Sequence, residues 1–274
     1  MITQENNYTP SSRAEKLEAF GKLLDVLDEL RVKCPWDAKQ TNESLRPNTI
    51  EEVYELSDAL LSGKEEDISK ELGDVLLHIV FYAKIGEEKQ AFDIADVCRR
   101  LTDKLIFRHP HVFGDVAVRD SHEVEQNWEQ IKLKEKGGNK TVLSGVPKGL
   151  PSMIKAYRVQ EKVANVGFDW DDKSDVWEKV YEELGELREE IVQDSSQEKK
   201  EGEMGDFLFS LINMGRLYGV DPDTSLERTN QKFMRRFNHI EKRAKEEGKE
   251  LKSMTLAEME VYYAEAKALE KKNL

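Results

Sequence analysis

The chain has 274 residues, enough for one large domain or two domains of about 100–150 residues, each able to bury a hydrophobic core. Its formal net charge of −13 disfavours non-specific binding to nucleic acid, which needs clustered Lys and Arg, so we expect no direct binding of nucleic acid. Only two cysteines, a polar start and the lack of a long apolar run predict a cytoplasmic protein that does not enter a membrane.

Apolar residues recur at helical spacing along nearly the whole chain, and the alternation typical of strands is rare. We therefore predict an all-α protein. The polar residues 1–14 are predicted to form a flexible start. In the first half, helices are predicted over 17–30, 49–62, 70–85, 92–108 and 123–136. In the second half they are predicted over 154–163, 180–191, 203–214, 224–247 and 256–268.

The segment 137–151 holds four glycines and two prolines, which is typical of a linker. It predicts two domains, one over residues 15–136 and one over residues 152–274. A Ser or Thr followed three residues later by Glu favours the start of a helix, so Thr49 and Glu52 are expected to cap the second helix.

Four carboxylates of the second half form two pairs with i, i+3 spacing: Glu183 with Glu186, and Glu203 with Asp206. On a helix this spacing puts both acids of a pair on one face. Apolar stripes run beside both pairs, so two packed helices would bring the four carboxylates to one point. A single acidic pair is usually only a solvated surface. Converging charge instead predicts a site for a hard divalent cation, Mg²⁺ or alternatively Mn²⁺.

The same pattern occurs in both halves, in the same order. The matching residues are Glu52, Glu55, Glu71, Asp74, Lys104, Arg108 and Trp128 in the first half and Glu183, Glu186, Glu203, Asp206, Lys232, Arg236 and Tyr263 in the second. The acid pairs are 19 residues apart in the first half and 20 in the second, and Lys and Arg are four apart in both. A solvated surface has no reason to repeat in this order, so a tandem duplication is the simplest explanation.

Each part of the repeated set suits the hydrolysis of a nucleotide polyphosphate. Metal ions held by carboxylates screen the phosphates and activate a water molecule. Lysine and arginine on one helical face can neutralise charge on phosphoryl oxygens. An aromatic ring can stack on a base of any identity. Trp36 and Trp170 are loop candidates for this stacking, although a tryptophan between helices can equally be a core residue.

Several motifs together resemble the MazG family of nucleoside triphosphate pyrophosphohydrolases. Two motifs, E-E-x-x-E and E-x-G-D, occur in both halves, and Met204 is the variable residue x in the second half. The others are CPWD from Cys34, GFDW from Gly167 and RHPHVFGD from Arg108. The resemblance covers residues 15–270. It implies tandem all-α helical bundles that form a homodimer. It also implies Mg²⁺-dependent hydrolysis of NTPs or dNTPs between the α and β phosphates, giving NMP and pyrophosphate, as in the cleaning of nucleotide pools.

The resemblance also implies roles for individual residues. The catalytic and metal-binding set is Glu183, Glu186, Glu203 and Asp206. The expected nucleotide contacts are Lys179, Glu182, Lys232, Arg236, Tyr263 and Trp170. Tyr263 stands where the family carries a tryptophan, and Gly202 stands where relatives often carry another acid. The second half is expected to be the main catalytic unit, and the matching residues of the first half are expected to form a second site.

Two other interpretations compete with this one. A ferritin-like di-iron bundle is also helical and rich in carboxylates, but it needs Glu-x-x-His motifs, and no histidine here has a glutamate three residues before it. A non-catalytic acidic scaffold or regulator with a degenerate nucleotide site is the second alternative. His78, on an apolar helix face, is expected to be a core residue, and His109 to His111 are expected to end a helix.

Overall fold

The computed structural model describes residues 8–120, 123–124, 131 and 141–272. Within these residues every regular element is a helix and no strand occurs, which confirms the predicted all-α class. The chain divides into two compact units, residues 1–117 and 118–274. The same part of the chain contains no helix long and apolar enough to span a membrane. Trp128 and most of the predicted helix over 123–136 lie outside the described residues.

In the first unit, the described residues 8–117 form five α-helices. They are α1 (Arg13–Lys33), α2 (Asn42–Ser62), α3 (Glu65–Glu88), α4 (Ile94–Arg108) and the short α5 (Pro110–Phe113). Helices α2 and α3 form a hairpin around Gly63, whose φ of 67° is accessible to glycine without steric cost. Leu27 of α1, Leu45 of α2 and Val80 of α3 belong to one buried cluster, so the three helices share a core.

The start of α2 corrects the predicted cap at Thr49. The helix begins at Asn42, where Thr41 and Ser44 cap it reciprocally through their side chains and backbone amides. Thr49 lies inside the helix, and its hydroxyl contacts His78 Nδ1 at 3.0 Å and the Tyr82 hydroxyl at 2.6 Å. The prediction failed because Thr41 offers an equally good cap six residues before Pro47, a residue that usually breaks helices but is accommodated inside α2.

In the second unit, the described residues 141–272 form five α-helices. They are α6 (Ser152–Ala164), α7 (Val176–Val192), α8 (Gln197–Leu217), α9 (Pro222–Glu246) and α10 (Leu256–Lys272). Helices α7 and α8 form one hairpin and α9 and α10 form another, while α6 packs against α8. Ile240, Ala244, Met254 and Tyr262 form the buried cluster of the α9–α10 hairpin. Val176, Val180 and Leu187 of α7 are buried as well, and they do not belong to that cluster.

Gly86 in α3 and Gly215 in α8 occupy corresponding tight crossings. A Cβ atom on Gly86 would lie 2.9 Å from the carbonyl oxygen of Phe92, and one on Gly215 would lie 2.8 Å from the carbonyl oxygen of Val220. In both units the helix that carries E-x-G-D therefore packs directly on the backbone of the following connection. A backbone oxygen cannot move aside as a flexible side chain can, so both crossings require glycine.

We predict that Gly215→Ala destabilises the protein by roughly 1–3 kcal/mol, because the added methyl group overpacks the crossing. Gly205→Ala is the matched control in the same helix, since a Cβ there meets nothing within 4 Å. Its higher helix propensity should stabilise the protein by up to about 1 kcal/mol. Urea unfolding of the two variants measures both effects. Equal stability of the two variants would contradict the crossing described here.

Candidate active site

The acidic residues of α7 and α8 meet where the two helices pack. Ligand oxygens of Glu183, Glu203 and Asp206 all lie within 4.8 Å of one another. Glu183 is 7% exposed, Glu203 is half-buried and Asp206 is exposed, so the cluster runs from the protein interior to the surface. Three converging carboxylates supply the oxygen ligands that hard divalent cations prefer. The arrangement therefore fits a divalent metal ion.

Glu186, the fourth predicted acid, lies outside this three-residue group but is coupled to it. Loss of hydration raises the pKa of Glu186, and the negative charges of Glu183 and Glu203 raise it further. The exposed carboxylate thus stands close enough to the cluster to feel its field. Binding of a cation among the acids would remove this repulsion.

Lys179, one turn before Glu183 on α7, partly neutralises the buried end of the cluster. Its Nζ lies 2.7 Å from a Glu183 carboxylate oxygen and 3.1 Å from Glu182. These two hydrogen bonds raise the pKa of Lys179, with the bond to Glu183 as the larger cause. The predicted contact residues Lys179 and Glu182 are therefore next to the acids.

A cavity of about 600 Å³ opens directly from the acids. Glu183, Asp206 and Lys179 are among the residues that line it. Its other walls come from α6, the loop that follows α6, the start of α7, and α8, through Val159, Gln160, Val163, Gly167, Phe168, Asp169, Trp170, Val176, Phe209, Ser210, Asn213 and Arg216. The volume lies within the range of small-molecule sites, and a mostly apolar wall with a few polar groups is their usual composition.

The G-F-D-W loop contributes two aromatic side chains to the cavity. Phe168 is 80% exposed and Trp170 is 41% exposed, so neither ring is a core residue. Arg216 of α8 fixes the loop by a two-pronged ion pair with Asp169, in which Nη1 lies 3.0 Å from Oδ2. The same guanidinium donates to Asn213 Oδ1 from Nε at 3.0 Å. The loop aromatics are thus held at the cavity by a half-buried arginine that these hydrogen bonds orient.

The second predicted group, Lys232, Arg236 and Tyr263, lies on the α9–α10 hairpin and is not part of the cavity lining. Arg236 donates to Glu270 at 2.7 and 2.9 Å and lies 5.3 Å above the Tyr263 ring. The ion pair with Arg236 is the main cause of a lowered pKa at Glu270. Lys232 adds to this lowering by its charge. The structure therefore brings these three residues together with each other but not with the acids.

The first unit has its own acid cluster. Ligand oxygens of Glu52, Glu55 and Glu71 lie within 4.8 Å of one another, and Glu71 is 7% exposed. Lys70 Nζ contacts Glu71 Oε1 at 2.8 Å, while the buried Oε2 has no partner among the described residues. Asp74 lies outside the group but adds to the raised pKa of Glu52, for which loss of hydration is the largest cause. Lys104 and Arg108 lie on α4.

Sequence reasoning missed several residues of the cavity. Gln160, Ser210, Asn213 and Arg216 all line it, yet none belongs to the repeated set. The missed signal was the position of Ser210, Asn213 and Arg216, which follow Asp206 at four, seven and ten residues and thus continue its face of α8. Gln160 is polar on a helix face whose neighbours Val159 and Val163 are apolar, which marks it as a buried polar residue.

Comparison with known proteins finds the same family domain in both units. The family model of the MazG nucleotide pyrophosphohydrolase domain matches residues 40–113 and again residues 173–241. Both matched segments contain an acid cluster described above.

Full-length relatives agree with this match. The nucleoside triphosphate pyrophosphohydrolase of Escherichia coli K12 is 40% identical over 260 residues, which cover 93% of this chain and 99% of the relative. The protein of Thermotoga maritima described as nucleoside triphosphate pyrophosphohydrolase/pyrophosphatase MazG is 42% identical over 251 residues, 90% of this chain and 95% of the relative. The uncharacterized protein YabN of Bacillus subtilis is 44% identical over 97% of this chain, which spans 55% of that protein. The chain therefore belongs to the MazG nucleotide pyrophosphohydrolase family, and it carries the family's domain twice.

Proposed function

We propose that the protein is a Mg²⁺-dependent nucleoside triphosphate pyrophosphohydrolase that releases NMP and pyrophosphate from NTPs or dNTPs. The observation that carries the proposal is the junction of the acid cluster with the cavity. Carboxylates of Glu183 and Asp206 and the side chains of Phe168 and Trp170 line the same space. Such a space offers a metal site for phosphates beside an aromatic surface for a base. Relatives that align over nearly their whole length carry this activity in their names.

Each part of the site has a role in this reaction. Glu183, Glu203 and Asp206, with Glu186 beside them, would hold Mg²⁺, which supplies Lewis-acid activation of water and screening of the phosphates. Lys179 gives up its bond to Glu183 and neutralises charge on a phosphoryl oxygen. Trp170 and Phe168 position the base by stacking. Tyr263, Lys232 and Arg236 are proposed to contact nucleotide from the α9–α10 hairpin.

A difference in packing after the E-x-G-D motifs favours the second unit as the main catalytic one. Ser210 and Asn213 line the cavity four and seven residues after Asp206. The residues at the same distances from Asp74 are His78 and Phe81, and both are buried. His78 is bonded to Thr49, and Phe81 belongs to the core of the first unit. Positions that form a cavity in the second unit are thus packed in the first.

Other parts of the proposal concern assembly and location. Both units expose large apolar side chains on helices, among them Ile79 of α3, Leu105 of α4 and Leu208 of α8. Contact with a second copy would cover such faces, so we propose a homodimer. We place the enzyme in the cytoplasm, where it would remove unwanted nucleotides from the pool. We propose no direct binding of nucleic acid, because the chain has a formal net charge of −13.

Matched variants of the two clusters test the assignment of catalysis. Glu203→Gln and Glu71→Gln remove one charge from corresponding positions of the second and first units. We expect Glu203→Gln to lower kcat for pyrophosphate release by at least about 100-fold, because even outer-shell partners of a metal site contribute 10–100-fold. Glu71→Gln should leave most activity. Products from each NTP and dNTP are resolved as pyrophosphate or orthophosphate.

If pyrophosphate release were lost in Glu71→Gln but not in Glu203→Gln, catalysis would be assigned to the first unit. A wild-type protein that turns over none of the eight triphosphates would refute the proposed function. That outcome would favour the non-catalytic scaffold.

Stabilisation by Mg²⁺ provides a test that does not depend on turnover. A ligand that binds only the folded protein raises its melting temperature. Metal binding requires ionised carboxylates, and the pKa of Glu186 is raised, chiefly by loss of hydration. We therefore expect the Mg²⁺-induced rise to be largest at neutral pH and to shrink as the pH falls through this raised pKa towards ordinary glutamate values.

In the metal-free protein, Glu186 should have the opposite pH dependence and stabilise the fold more as the pH falls. A glutamate that binds protons more readily when folded adds stability as the pH falls. Differential scanning calorimetry of wild type and Glu186→Gln, with Mg²⁺ or EDTA, separates the two effects. A Mg²⁺ shift that is the same at all pH values would contradict the proposed carboxylate ligands.

A further inference from the structure

Gln160 is the most deeply buried polar side chain that lines the cavity. The residue is 4% exposed on α6, between the apolar residues Val159 and Val163 of the same wall. A carboxamide placed among apolar neighbours loses hydration, so each of its polar atoms needs a partner. The acid site described above does not use this residue.

The orientation of the Gln160 carboxamide is fixed by α8. Its Nε2 donates to the carbonyl oxygen of Phe209 at 2.8 Å. A carbonyl oxygen can only accept, so the amide nitrogen, not the amide oxygen, must face Phe209. The oxygen Oε1 is then the free end, and it is buried with no hydrogen-bond partner in the described part of the chain. Such an atom loses roughly 1–3 kcal/mol of hydration without compensation.

Ser210 gives the same part of the wall a second acceptor. Its hydroxyl donates to the carbonyl oxygen of Phe207 at 2.8 Å, which uses its only proton. Lone pairs of the hydroxyl oxygen are left to accept. The Asn213 oxygen, by contrast, is already occupied by Arg216. Gln160 and Ser210 therefore each leave an acceptor at this wall, while the Nδ2 group of Asn213 is left to donate.

We propose that Gln160 is a specificity-determining residue whose Oε1 accepts a hydrogen bond from an exocyclic amino group of the nucleobase. The site would thus favour amino-bearing bases over bases without an amino group. This inference rests on the proposed function, because it assumes a nucleotide in the cavity. With its phosphates at Glu183 and Asp206, a nucleotide directs its base towards the remaining walls. An amino group carries two N–H bonds and supplies the donor that Oε1 lacks.

The loop aromatics allow a ring to reach this wall. Phe168 and Trp170 line the same cavity and are largely or partly exposed, so a planar ring inserted there displaces few packed contacts. Stacking against them is insensitive to the identity of the base. Hydrogen bonding by Gln160 therefore adds a discrimination that stacking alone does not give.

The experiment compares ATP with purine riboside triphosphate, which differs from ATP only by lacking the N6 amino group. Steady-state kcat/KM is measured for wild type, for Gln160→Met, which keeps the length but removes the acceptor, and for Gln197→Met. Gln197 is exposed at the start of α8, away from the cavity lining, and provides the matched control. We expect wild type and Gln197→Met to prefer ATP by about tenfold, and Gln160→Met to lose this preference.

Two results would overturn the proposal. One is a wild-type protein whose kcat/KM is about the same for ATP and for purine riboside triphosphate. This measurement does not depend on the folding of any variant. The other is a Gln160→Met protein that loses activity on both triphosphates equally and keeps the ratio, because a purely structural bridge between α6 and α8 would act in that way. Binding of AMP and purine riboside monophosphate by calorimetry gives the same comparison without hydrolysis. If no triphosphate were hydrolysed, the proposed function would fail, while a tenfold preference for AMP would still support the role of Gln160.

Discussion

Mutual repulsion of carboxylates at the α7–α8 contact is the constraint on which the second unit depends. Packing of the two helices holds oxygens of Glu183, Glu203 and Asp206 within 4.8 Å. Such a group is unfavourable by itself because like charges repel, and its charges add to the loss of hydration that raises the pKa of the neighbouring Glu186. Lys179 offsets only the buried end of the charge. The helix pair must therefore be stabilised elsewhere, and Val176, Val180 and Leu187 bury one face of α7 for this purpose.

Duplication has kept the acid-bearing scaffold and changed the space beside it. Both units place acids on a helical hairpin, and both close the second helix of that hairpin with a glycine packed on backbone. The difference lies on one face of that helix. Ser210 and Asn213 leave room in the second unit, whereas His78 and Phe81 are buried in the first. Two positions on that helix face thus distinguish the units, because they line a cavity in the second unit and are buried in the first.

The sequence was sufficient for the all-α class and for the acid clusters, because helical spacing and i, i+3 pairs are local properties of the chain. The cavity depends on non-local contacts. Gln160 meets Phe209 across 49 residues, and Asp169 meets Arg216 across 47. No periodicity within one helix encodes such contacts. The misplaced cap at Thr49 has a local origin instead, since Thr41 and Ser44 cap the helix earlier in the chain. The sequence also grouped Arg236 with the acids, whereas the structure pairs it with Glu270.

Direct measurement of metal binding tests the central claim that the carboxylates of α7 and α8 form a divalent cation site. Mn²⁺ can replace Mg²⁺ at such oxygen sites, and electron paramagnetic resonance counts the free ion during a titration. Wild type, Glu203→Gln and Glu71→Gln would be titrated under the same conditions. The account predicts that Glu203→Gln loses the Mn²⁺ bound by the second unit while Glu71→Gln retains it. Mn²⁺ binding by Glu203→Gln with unchanged stoichiometry and affinity would contradict it.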